Sequence, residues 1–243
     1  AHALPTDDEP GVREASVAES RLSMRAWLDG LDVRVMDRPS IVDGARDKMR
    51  QLRVARDVGM AVPATLLSND PEQVRRFAAE LQGAVVAKML HPFALGSPDD
   101  ERVVFTSPVR PEDLADLAGL SRSPMVFQQA IRSVVELRVT VVGETALVAA
   151  LDRGPDQPVD WREDAPRLAS RWEGGALTPS IQAQLAAILR KLGLRFGAFD
   201  LAVDDRGTCW FLEVNPSGEW LWLEQGIGLP IADAIAAELM RER

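Results

Sequence analysis

The chain has one cysteine, Cys209, which excludes an intrachain disulfide framework, and nothing in the composition asks for an oxidising compartment. Cys209 lies in a strand-like run, where the ordinary role of a free thiol is that of a small buried hydrophobe. Two histidines, His2 and His91, are too few for a multi-histidine metal centre and weigh against a triad hydrolase. Neither a Walker-type phosphate loop nor a GxGxxG stretch occurs. No apolar run approaches the ~18 residues of a membrane span. The opening "AHALPTDDEPGVREASVAES" also lacks the basic and apolar regions of a secretory signal, so a cytoplasmic protein with no membrane partner is expected. Positive charge is scarce as well: a formal net charge of −9 argues against sequence-independent nucleic-acid binding and makes local basic clusters informative.

What is present is ample material for a core, 46% hydrophobic residues in a chain of 243, enough for one large domain or two small ones. The spacing predicts a short helix through Leu22, Trp27, Leu28 and Leu31, a brief strand at "DVRVM", and one helix from near Gly44 to Gly59 with Met49, Leu52 and Ala55 on a face. A capped helix follows at Asp70-Pro71, with Gln73 completing a capping-box-like pair. Strands are expected at "AVVAKML" and "PMVFQQAI", and a hairpin at "ELRVTVVG" and "TALVAALD". Further helices start at Thr178-Pro179, ending at Gly193, and at Pro230. Short hairpins without strict βαβ alternation indicate an α+β fold with antiparallel sheets.

Near the C-terminus, "AFDLAVD" and "TCWFLEV" flank a turn around Asp205-Arg206-Gly207. Each carries an acid where a core residue is expected, Asp200 and Glu213. An even-numbered loop places Asp200 directly opposite Glu213 on one face, with Asn215 joining them; an odd-numbered loop separates the acids. Pro216 biases Asn215 toward extended backbone. Opposed carboxylates destabilise a strand pair unless something offsets their charge. Hard oxygen donors suit Mg2+, which takes one or two carboxylates and completes its shell with water and phosphate. The alternative is a surface hairpin whose acids pair with arginines such as Arg195 or Arg206.

Lys88 interrupts "AVVAKML" on the face of Val86 and Leu90, so it either meets an anion or discourages aggregation at a sheet edge. Lys48 reads first as a solvated helix-face lysine. Arg138, Arg153 and Arg162 fall on or just after the strands of the central hairpin. Guanidinium groups there suit carboxylate or phosphate, although an exposed strand arginine needs no such purpose. With the acids, they suggest an anionic reaction centre.

Jointly these features resemble the ATP-grasp ligases, and in detail the graspetide synthetases of the microviridin type, which crosslink ribosomal peptides. The resemblance covers residues 21–243 and is carried by "KMRQLRVARDVGMAVPATLLSNDP", "ELRVTVVG", "VDWR" and above all "GAFDLAVDDRGTCWFLEVNPSGEWLWLEQGIGLPIADAI". It implies an ATP-grasp fold in which two α+β subdomains, residues 44–129 and 130–243, clasp ATP between antiparallel sheets. Residues 21–43 would be the remnant of a truncated preceding domain, and residues 1–20 a disordered tail or linker.

The resemblance further implies that Asp200, Glu213 and Asn215 hold Mg2+ and that Lys48 and Lys88 contact phosphate. The hinge strand would meet adenine through Gln128, Gln129 and backbone groups around Gln129 and Ile131, with Glu136 on the ribose. Arg138 would steady the transferring phosphoryl group, and Arg162 would lie near the substrate carboxylate. Two departures stand out. The hinge has Gln128 and Gln129 where many relatives have an acid, and Ala198 stands where some ligases place an arginine, so Arg138 or Arg153 must supply that charge. The loop at residues 91–102 would close over the phosphates. The implied partner is a ribosomally made precursor peptide, whose Asp or Glu carboxylates are activated as acylphosphates and joined to Ser or Thr hydroxyls or Lys amines. Alternatives are a ligase adding an amino acid to a protein or small-molecule carboxylate, or an inactive grasp-fold peptide-binding partner. A homodimer is one of the assemblies left open.

Overall fold

The computed structural model describes residues 10–89, 94–95, 102–103, 106–154 and 165–241. Two antiparallel sheets dominate. The smaller has the order β1 (Thr65–Ser68), β6 (Met125–Gln129), β2 (Val85–Lys88), β5 (Ser107–Pro108). The larger has the order β11 (Cys209–Asn215), β10 (Phe196–Asp204), β7 (Ser133–Val142), β8 (Thr145–Asp152), β9 (Glu173–Gly174). A ribbon of β3 (Ala94–Leu95) and β4 (Arg102–Val103) completes the strands among the described residues. The architecture is the expected α+β.

Helix α4 (Pro71–Glu80) forms as its punctuation dictates. The Asp70 carboxylate accepts the Glu72 N–H at 2.9 Å, and the Gln73 amide donates to Asp70 at 3.1 Å. Val74 and Ala78 are buried against Val85, Leu120 and Phe127, which seals one face of the smaller sheet. Helix α7 (Pro179–Leu192) starts with the Thr178 hydroxyl accepting the Ile181 N–H at 3.3 Å and ends at Gly193, whose φ of 82° only glycine adopts without strain. Its Leu185, Ile188, Leu189 and Leu192 join Leu52 and Ala55 of α3 (Lys48–Asp57) over one face of the larger sheet. That face supplies Leu137, Val139, Phe199, Leu201, Phe211 and Val214. Each such side chain contributes roughly 1.5–3 kcal/mol on burial, so this layer anchors the sheet.

The other face of the larger sheet is divided. At β8, Ala149 and Leu151 lie beneath Trp172, Leu223 of α8 (Leu221–Ile227) and Ile231 of α9 (Ile231–Met240). Cross-strand from these, Arg138 pairs with Ala149 and Glu136 with Leu151. Side chains alternate, so Glu136 and Arg138 share the face opposite the main core. Polar groups at β7, β10 and β11 therefore border an apolar wall.

Several local expectations are corrected. Residues 32–36 form no strand, and just after them the Asp37 carboxylate takes the N–H groups of Arg195 and Phe196, at 2.8 and 3.0 Å. The expected single helix from Gly44 is broken into α2 (Pro39–Ala45) and α3, because Asp47 caps α3 by accepting the Arg50 N–H at 3.0 Å. Helix α1 (Pro10–Gly30) contains Leu22, Trp27 and Leu28 of the expected pattern, stops before Leu31, and begins inside the stretch expected to be a tail. Short helices α5 (Pro111–Ala115) and α6 (Ala165–Leu168) complete the set. Among the described residues no helix is long and apolar enough to cross a membrane.

Candidate active site

Asp200 and Glu213 stand directly opposite each other, but the route differs from the one expected. The turn is built by Asp204, whose carboxylate accepts the N–H groups of Arg206 (3.0 Å) and Thr208 (2.8 Å) and the Trp210 indole N–H (2.9 Å). These bonds hold its pKa below the usual carboxylate value, the Trp210 contact contributing most. They also set Val203 opposite Cys209, which leaves the odd-numbered loop 204–208. A β-bulge between Asp200 and Leu201 then shifts the pairing by one, from Leu201–Phe211 to Asp200–Glu213. In a regular strand Phe211, Glu213 and Asn215 would share a face. With the bulge, Phe211 and Val214 enter the main core, and Glu213 and Asn215 turn to the face of Asp200.

Each acid meets a cation. Arg138 lies opposite Asp200 on β7, and its Nη1 donates to Asp200 Oδ1 at 2.8 Å, the side chains being 11% and 16% exposed. Lys48, at the first turn of α3, reaches Glu213 Oε2 at 2.9 Å and the Met89 carbonyl at 3.5 Å. The partners are therefore Arg138 and Lys48 rather than Arg195 or Arg206. The resulting quartet, Arg138, Asp200, Glu213, Lys48, sets the two facing acids between two cations and is neutral in sum. Lys48 also links the larger sheet to the end of β2, beside Lys88. Because β2 lies between β6 and β5, Lys88 is not an edge-strand lysine.

The turn after β11 closes over this group. Asn215 Oδ1 accepts the Ser217 N–H at 3.1 Å, and Arg138 Nη2 donates to the Glu219 carbonyl at 3.4 Å. A Cβ on Gly218 would lie 2.5 Å from Ala198 Cβ and 2.9 Å from Arg138 Nη2, so this close approach requires glycine. Glu136 and Arg153 form a third ion pair at 3.2 Å, with Arg153 only 6% exposed.

At the end of β6, Gln128 is 3% exposed and its Nε2 donates to Thr65 Oγ1 at 3.0 Å. Gln129 Oε1 accepts the Ala64 N–H at 3.3 Å, and its own N–H donates to the Ala64 carbonyl at 2.8 Å. Both glutamine side chains thus bind the sheet to itself. The Ala130 N–H is spent on the Ala84 carbonyl. Ile131 follows directly after them. Arg162 and most of the loop 91–102 lie outside the described residues.

No family profile matches the chain. Among solved structures, the macrocyclase MdnC of Microcystis aeruginosa MRC, bound with precursor peptide MdnA, matches with a TM-score of 0.86 at 40% identity, over 98% of this chain and 74% of that one. A RiPP-associated ATP-grasp ligase of Chryseobacterium gregarium, in complex with ADP and a leader and core peptide, matches at 0.89 with 30% identity, over 98% and 72%. The macrocyclase MdnB of Microcystis aeruginosa MRC matches at 0.78 with 36% identity, over 99% and 74%. The chain belongs to the ATP-grasp ligases. Its likeness within them is to the ligases and macrocyclases of ribosomal peptides. A probable alpha-L-glutamate ligase of Shewanella amazonensis is 27% identical over 195 residues, 79% of this chain. The chain spans 62% of that relative, less than two thirds of its length.

The donors present fit the magnesium ion that an ATP-grasp site implies. Two carboxylates and one amide share a sheet face, and no group of three or more His, Cys, Asp or Glu that could hold a metal exists among the described residues. Such a set leaves most of the shell to water and phosphate, as Mg2+ prefers. Arg138 Nε is buried without a hydrogen-bond partner, which suits an anionic acceptor over the quartet. Gln51 and Gly218 escaped the sequence reading. Neither is charged, and their roles arise from contacts distant in sequence.

Proposed function

We propose that this chain transfers the γ-phosphoryl group of ATP to an Asp or Glu side-chain carboxylate of a ribosomally made precursor peptide in the cytoplasm. The observation that carries the proposal is the quartet in which Asp200 and Glu213 stand face to face, flanked by Arg138 and Lys48. In this reading the chain divides near residue 130, and the smaller and larger sheets are the two halves that hold the nucleotide.

Asp200, Glu213 and Asn215 would hold Mg2+, which neutralises phosphate charge when bound. Lys48 and Arg138 are already drawn to anionic oxygens, and with Lys88 they would take phosphate oxygens in place of the acids. Arg138 donates where charge develops on the transferring group, and its restraint by Asp200 and Glu219 limits reorganisation. The adenine edge would be read by backbone at Ile131, since the N–H groups of Gln129 and Ala130 are engaged. Glu136, paired with Arg153, would take the ribose. Arg162 is kept as the candidate for the substrate carboxylate.

The carboxylate oxygen attacks the γ-phosphorus as the bond to ADP breaks, giving an acylphosphate. A Ser or Thr hydroxyl or Lys amine then attacks the acyl carbon, loses its proton, and expels phosphate. The product is an ester or amide crosslink.

Incubating the chain with ATP, Mg2+ and a candidate precursor should release ADP and remove one water from the peptide mass per crosslink. ADP release with no dehydrated peptide would reject the peptide assignment. The curated glutamate ligases favour a second reading, addition of an amino acid to a carboxylate. That reaction would appear as a mass gain from a second molecule.

A further inference from the structure

Strand β11 is the outer strand of the larger sheet, so the N–H and carbonyl of Val214 point away from β10 and need partners. Gln51 supplies them. Its Oε1 accepts the Val214 N–H at 3.0 Å and its Nε2 donates to the Val214 carbonyl at 2.8 Å, while the same Nε2 donates to the Ala45 carbonyl at 2.7 Å. One side-chain amide thus imitates an adjoining strand at a single residue and ties it to the end of α2. Gln51 is 2% exposed. A buried amide with this many bonds is strongly determined in position. Val214 lies between Glu213 and Asn215, and Gln51 stands one turn of α3 beyond Lys48, the partner of Glu213.

We infer that Gln51 is a positioning residue for the metal-holding segment 213–215. It fixes the backbone on which Glu213 and Asn215 are mounted, beside a bulge that would otherwise leave that stretch weakly specified. This inference rests on the proposed Mg2+ site. It adds that the geometry of the site is held from α3 by an uncharged residue that touches neither ion nor nucleotide.

Gln51→Met nearly keeps length and volume and removes every side-chain hydrogen bond. Gln51→Asn keeps the amide but shortens its reach, and serves if the methionine variant does not fold. Gln184→Met is the control, because it removes an inter-helix bond from Gln184 Nε2 to the Val58 carbonyl, 3.2 Å, away from the acids. Hydrogen exchange at the Val214 amide of the metal-free chain should accelerate in both Gln51 variants and not in the control. Calorimetric titration of Mg2+ in the presence of AMPPNP should show half-saturation raised about tenfold to 100-fold in the Gln51 variants, the usual cost of losing a group that orients a ligand. The control should stay within about twofold, below that range. Gln51 variants that melt earlier but retain wild-type Mg2+ half-saturation would overturn the inference and leave the site intact. Failure of the wild-type chain itself to bind Mg2+ with AMPPNP would overturn the site, and the inference with it.

Discussion

Arg138 is held at three points: by Asp200, by the Glu219 carbonyl and by the glycine surface of Gly218. Under the proposed function, a guanidinium so restrained would meet the transferring phosphoryl group with little reorganisation. Arg138→Ala should lower the rate constant for ADP formation by about 10²–10³, with a smaller change in the KM for ATP, as expected when a transition-state donor is lost. Steady-state kinetics over a range of ATP concentrations checks this. Arg138→Ala also leaves Asp200 without its counter-charge, so some loss of stability should accompany it. Asp37 belongs to stability rather than chemistry. Burial raises its pKa from 3.8 to about 6, against the lowering effect of the Arg195 and Phe196 N–H groups. Across that window the folded chain keeps a proton that the unfolded chain has lost, so stability falls as pH rises. The stability advantage of the wild type over Asp37→Asn should shrink between pH 3.8 and about 6 and stay level above, as read from denaturant unfolding at each pH. A difference independent of pH would contradict the burial of that carboxyl.

At the scale of elements, the site depends on two local devices, the bulge in β11 and the turn that follows it. The turn has no spare room over Ala198 and Arg138. Gly218→Ala should cost about 1–3 kcal/mol of stability, the usual penalty for an overpacked contact. It should also slow ADP formation, because Arg138 Nη2 is one of the atoms displaced; unfolding and rate measurements on one preparation test both. Helices α4 and α7 were legible from the sequence because capping residues and apolar spacing act within a turn or two. The facing acids were legible as a pair, yet the even loop assumed for them does not exist. Loop length and bulge compensate, and a bulge leaves no compositional mark in "WFLEV". Lys48 read as a solvated helix lysine because the break at Arg46-Asp47 was not seen. That break puts Lys48 at the start of α3, where it reaches Glu213. The strand expected at "DVRVM" does not form, and the bonds that Asp37 makes just after it lie far along the chain.

For the whole molecule, the decisive feature is charge placed against the overall trend. A chain of net charge −9 brings Lys48 of α3, Arg138 of β7 and Arg153 just after β8 each against an acid of the larger sheet. The main core lies on the other face, so the acids of the group are mounted on packed strands. Fold class and most of this site could be read from residue types, whereas the parts joining them could not. Gln51 is a neutral residue within a helix, and only tertiary contact reveals what it holds. The central claim is that Asp200, Glu213 and Asn215 hold a divalent ion with the nucleotide. Electron paramagnetic resonance of Mn2+, standing in for Mg2+, tests it directly in the presence of AMPPNP. The wild-type chain should bind the ion, and Asp200→Asn and Glu213→Gln should each weaken binding by at least about tenfold, since losing a ligand costs no less than losing its support. Equal Mn2+ binding by the wild type and both variants would contradict the site.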